Sequence, residues 1–159
     1  MRHVHWRSSA RTGTLMVRQL IDASLPTTTV VLDTRDLTEL SVDAAASVAL
    51  AAARAGFPVR LITGEGVLAE TKSDAELVLD RLALVRAGDA REAVRLARGG
   101  GSLVLVTADP AEAARAAAVR KRFDRVICVF TGSAEVSVPG VVTLRLGDLD
   151  ALPYVWTAR

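Results

Sequence analysis

Histidine and cysteine, the side chains that most often carry acid–base and nucleophilic chemistry, are nearly absent: His3, His5 and Cys128 are all the chain has. His3 and His5 alternate, so on a strand they would share one side and could ligate a metal, but two ligands with no obvious third do not make a zinc site. No histidine beyond His5 is present to act as general base for a serine. Cys128 sits inside an apolar run with no basic residue nearer than Arg125, the setting of an inert buried thiol. Gly99-Gly100-Gly101 precedes an apolar run, whereas phosphate-binding glycines follow a strand and open a helix. Thr63-Gly64-Glu65-Gly66 does follow such a run, but lacks a third glycine and an immediately capped helix. What remains is acids and arginines. Asp33 ends an apolar run, with Arg35 and Asp36 just after it, and Asp109 stands directly before Pro110. An ion pair between Asp33 and Arg35 is expected at a sheet edge. Asp109 is expected to cap a helix.

The elements that must position these residues can be read from the periodicity. Half the residues are hydrophobic and only 4% are aromatic, so the core must be built from Ala, Val and Leu. Apolar runs at 28–32, 59–63, 102–107, 125–130 and 141–146 read as strands, near-continuous in the way of strands covered on both faces. Residues 67–70 read as a short edge strand pairing back on its predecessor. Between the strands the pattern is helical. Ser41 to Ala55 reads as a helix with Ser41 as cap, Asp43 in its first turn and Gly56 closing it. A second helix is expected from Ser73, with Glu76 at capping-box spacing and Gly88 at its end. A shorter one follows from Asp89 and Glu92 to Gly99. Asp109, Pro110 and Glu112 then start a helix running to about Phe123. Alternating strands and helices imply a doubly wound α/β domain with a mostly parallel sheet of about six strands and helices on both faces. Ligands of such sheets bind at the C-terminal ends of the strands.

Charge says less about function. The net charge is +2, and Lys72 and Lys121 are the only lysines among 20 basic residues. Arg2, Arg7, Arg11 and Arg18 open the chain before any acid appears. No recognition motif or aromatic platform accompanies them, so nucleic acid is not an expected partner. No apolar run reaches the ~18 residues of a membrane span, no signal peptide is recognisable, and the unpaired cysteine fits a reduced, cytoplasmic setting. Residues before Thr28 break the alternation, although Leu15 to Leu20 has strand character.

That first segment carries a family resemblance. Arg2-His3-Val4-His5-Trp6-Arg7-Ser8-Ser9-Ala10-Arg11, continued by Gly13, Leu15, Val17 and Arg18, resembles the signature of domain-of-unknown-function family 58, whose members have a von Willebrand factor A-like domain. A strand ending in Asp33 and an Ala-rich helix follow, as in that family. The resemblance implies residues 1–24 as a signature segment left from an upstream region, and 25–159 as the A-like domain with strand order 3-2-1-4-5-6. It implies a parent anchored in the inner membrane, of which this chain would be a shortened form. It also implies a non-catalytic role in protein–protein interaction, beside a MoxR-type AAA+ ATPase, in protein maturation or assembly.

The A-like fold has a metal-ion-dependent adhesion site that begins Asp-x-Ser-x-Ser, an acid and two hydroxyls facing a divalent cation. Here the matching stretch is Asp33-Thr34-Arg35-Asp36-Leu37. Arg35 and Leu37 stand in the hydroxyl positions, and a guanidinium repels a cation. Asp109 lies near the place of the later acid, and Thr71 near that of the middle-loop threonine. The site is therefore expected to be degenerate, with no cofactor and no tight Mg²⁺. The expected interaction surface is Arg2, His5, Trp6, Arg7 and Arg11, and uncovered apolar area around Trp6 and Leu15 to Leu20 is expected either to drive self-association or to leave the residues before about Thr28 loosely ordered. The alternative is a small-molecule or nucleotide-binding α/β enzyme domain using the same sheet crest, recognisable by a pocket of convergent polar groups there.

Overall fold

The structure is a computed structural model that describes residues 3–4, 17–18, 25–72, 74–89 and 93–153. Its frame is the sheet expected from the apolar runs. Strands β3 (Thr28–Leu32), β4 (Val59–Thr63), β5 (Gly66–Thr71), β6 (Ser102–Thr107), β7 (Arg125–Phe130) and β8 (Val142–Arg145) form one sheet in the order β5-β4-β3-β6-β7-β8. Counted from β3, that is 3-2-1-4-5-6. All neighbours are parallel except β5, which turns back antiparallel on β4. At the N-terminal end, β1 (His3–Val4) and β2 (Val17–Arg18) pair antiparallel in a two-stranded ribbon of their own. Part of the 15–20 run is thus a strand, but in a separate sheet.

Both faces of the sheet are covered, because successive side chains along a strand point to opposite sides. Val30, Leu32, Val104, Val106, Ile127 and Val129 face helices α1 (Glu39–Arg54) and α2 (Ala75–Ala83). Val31, Leu103, Leu105, Val126, Cys128 and Phe130 face α3 (Ala93–Leu96) and α4 (Pro110–Val119). Alanine makes this close layering feasible: Ala44, Ala45 and Ala49 of α1 are fully buried, as are Ala113 and Ala116 of α4.

Helix ends depart from expectation where two capping residues compete. α1 begins before Ser41, because Thr38 is the cap; its hydroxyl accepts from the Ser41 amide while Ser41 Oγ accepts from the Thr38 amide. Ser41 is the reciprocal half of a capping box and not the cap itself. Glu39, not Asp43, is the acid in the first turn. α2 is capped by Asp74, whose side chain accepts from the Leu77 amide, and it ends at Ala83, short of Gly88; Ser73 lies outside the described residues. α3 falls inside the expected 89–99 stretch, with Glu92 outside the described residues. α4 is capped by Asp109 with Pro110 in its first turn, as expected. A 3-10 turn at Arg120–Arg122 carries the chain on to Phe123.

The triple glycine is explained by close approach at the opposite end from the strand crest. Gly101 has φ +66°, and a Cβ there would lie 2.2 Å from the Thr27 carbonyl oxygen; one on Gly99 would lie 2.6 Å from that of Arg122. These glycines let the chain enter β6 tightly, at the wrong end of the sheet for a phosphate loop.

Candidate functional site

The C-terminal ends of β3 and β6 bring together three carboxylates around one guanidinium. Asp33 follows β3, and its amide donates to the Val106 carbonyl at 2.9 Å, which fixes its side chain beside Thr107. Thr107 Oγ1 donates to Asp33 Oδ2 at 2.7 Å and accepts from the Asp109 amide at 3.0 Å. Arg35 folds back on Asp33 in a bidentate pair, Nε to Oδ1 at 3.1 Å and Nη2 to Oδ2 at 2.8 Å. Its Nη1 lies 2.9 Å from Asp109 Oδ2, and its Nη2 lies 3.1 Å from Glu112 Oε1. Arg115, one helical turn along α4, pairs with Glu112 from the outside. Every nitrogen of the Arg35 guanidinium thus meets a carboxylate.

The side chains of Asp33 and Glu112 are only 4% and 2% exposed, while Arg35 retains 23%. Charged groups buried to this degree are tolerable only when paired. Burial pushes the Asp33 carboxyl up, but hydrogen bonds from Arg35 and Thr107 outweigh it and hold it below the usual aspartate value. For Glu112 burial wins, and its pKa is raised despite Arg115 and Arg35. Arg35 is itself shifted upward, chiefly by its hydrogen bond to Asp33. Three carboxylates against two guanidinium groups leave one formal negative charge. A further lock holds the crest: Thr34 Oγ1 donates to the Gly88 carbonyl at 3.2 Å, and the Gly88 amide donates to the Thr34 carbonyl at 3.0 Å.

The Asp33–Arg35 ion pair is present. Asp109 caps α4, with Oδ1 accepting from the Ala111 amide at 2.7 Å, but its other oxygen is a full member of the cluster. Asp36 is exposed, and Leu37 packs against the core. Thr71 does not reach the crest: β5 runs antiparallel, so Thr71 pairs with Val59 at the start of β4, the other end of the sheet. Arg2, His5, Trp6, Arg7 and Arg11 lie outside the described residues. Cys128 is fully buried, and burial pushes its thiol pKa up to about 12. Thr107, Glu112 and Arg115 are members that the sequence reading missed. Thr107 ends the strand that sits beside β3, a signal that points to it; Glu112 shows in the sequence only as a helix-start signal.

Chemically the cluster is closed. Asp33, with a lowered pKa, is a poor base, Arg35 cannot release a proton, and the Thr107 hydroxyl already both donates and accepts. A divalent ion does not fit while Arg35 is present, because the guanidinium lies among the very carboxylates that would ligate it. A hollow of about 120 Å³ opens beside the end of β4, between Thr63, Glu65, Arg81 and Arg86. It is smaller than the ~300 Å³ at which ligand pockets begin, and no member of the cluster lines it. Among the described residues no helix is long and apolar enough to cross a membrane. The class defined is a doubly wound α/β domain with a charge-paired crest. Comparison with protein-family models and with curated protein sequences finds no match.

Proposed function

We propose that this chain is a non-catalytic protein–protein interaction module of the cytoplasm, and that its crest is a degenerate metal-ion-dependent adhesion site in which Arg35 supplies the positive charge. The observation that carries the reading is the pairing of Arg35 with Asp33, Asp109 and Glu112. It pairs Arg35 with the buried carboxylates of the crest, at the place where an α/β enzyme would direct such groups at substrate. In line with the family resemblance of the N-terminal segment, the proposed partner is a MoxR-type AAA+ ATPase, and the process protein maturation or assembly.

The test is retention of a purified MoxR-type ATPase on the immobilised full chain. Retention is expected, and Asp36→Arg, which reverses an exposed crest charge outside the cluster, should weaken it. Failure of the ATPase to bind, or a crest variant that binds as well as the original, contradicts the reading.

A further inference from the structure

A groove lies on the α1 face of the sheet, at the strand ends opposite the Arg35 cluster. It encloses about 520 Å³, well inside the ~300–1,000 Å³ range of small-ligand sites. Val104 and Ile127 form its floor, Ala51 and Ala52 of α1 one wall, and Leu152 lies on its lining as well. One end is different. Thr28 pairs with Ser102, and Ser102 with Arg125, so these first residues of three adjacent strands form one rung. All three line the groove. The rung therefore offers two hydroxyls and a guanidinium in a row, with apolar residues on the next rung of the same face. Arg125 is exposed, and among the described residues no carboxylate pairs with it.

An apolar trough with one cationic, hydroxyl-bearing end is complementary to an amphipathic anion. We propose that the groove binds a free medium-chain fatty acid. The carboxylate lies on Arg125 and the hydroxyls of Thr28 and Ser102, and the alkyl chain runs along Val104, Ile127 and the alanines of α1. A phosphate-type anion is a poorer match, because a single guanidinium gives its three charged oxygens too few charged donors. A wholly apolar ligand would leave the Arg125 end unused. The proposal is independent of the interaction reading, since crest and groove sit at opposite ends of the strands.

Calorimetric titration of decanoate into the full chain tests it. Saturable one-site binding is expected, with decanol, which has the same chain and no charge, binding at least about tenfold more weakly. Arg125→Gln, an exposed change, should bring decanoate down to the level of decanol. Ala51→Leu, on the exposed wall of the groove, should abolish both, with circular dichroism showing each variant folded. Absence of saturable binding, or binding indifferent to both substitutions, overturns the proposal. So does binding seen only after the chain is shortened to Pro153, which would give the groove to the chain's own C-terminal residues.

Discussion

Arg35→Ala would leave Asp33, Asp109 and Glu112 facing one another with no guanidinium between them. The side chains of Asp33 and Glu112 are almost fully buried, so water cannot replace the lost partner. Breaking a buried ion pair from one side costs ~3–5 kcal/mol, and the partial exposure of Arg35 argues for the lower end, about 3 kcal/mol. In a domain of this size each kcal/mol moves the melting temperature by roughly 2–4 °C, so a fall of about 6–12 °C is expected near neutral pH. The pH dependence is the sharper part. In the original chain the folded-state pKa of Asp33 is depressed. Its contribution is present above the unfolded aspartate value and is lost as pH falls through the lowered one. Without Arg35 the main lowering influence is gone and burial, which raises the pKa, takes over. The variant's deficit should then be greatest above about pH 5 and shrink as acid protonates the carboxylates. Urea unfolding of both chains from pH 4 to pH 8 measures this. Equal stability at neutral pH, or a deficit that grows in acid, refutes the reasoning.

Other substitutions separate the roles inside the cluster. Asp109→Ala should cost more than the ~1 kcal/mol of a lost cap, because Arg35 loses a partner too, and Asp109→Ser should restore only the cap's share in the same unfolding assay. Thr107→Val keeps the side-chain shape and removes the donor to Asp33; a loss of ~1–2 kcal/mol is expected, with the Asp33 pKa rising in carboxylate NMR titrations. Cys128 should resist a thiol reagent at pH 8 until the chain is unfolded, since a thiol with a pKa near 12 is protonated there. Deleting residues 1–24 should leave the circular dichroism of the domain intact, because the six strands of the main sheet pair with one another.

The sheet was legible because its strands are unbroken apolar runs; the stretch at 67–70 could be read only as a short edge strand pairing back, and the structure makes it the antiparallel β5. Helix starts were harder to place. Thr38 and Ser41 are both good caps, and only reciprocal geometry distinguishes the cap from its partner. At the crest, Asp33 and Arg35 are two residues apart, so their pairing follows from local geometry alone. The bond from Thr107 to Asp33 spans 74 residues and depends on which strand lies beside β3 and in what register. Glu112 meets Arg35 only because α4 starts directly above that junction. Thr71 was misplaced for the converse reason: the family resemblance put it near the crest, but an antiparallel strand delivers its last residue to the opposite edge.

In the proposed reading Arg35 stands where a cation would, and Mn²⁺ titration of the full chain tests that most directly. Any ion bound to the folded state raises its melting temperature by mass action. Millimolar Mn²⁺ is predicted to leave the melting temperature unchanged, because the guanidinium already holds the three carboxylates. A clear rise that Asp33→Ala abolishes would mean that a divalent ion binds at the crest alongside Arg35 or in its place, contradicting the account.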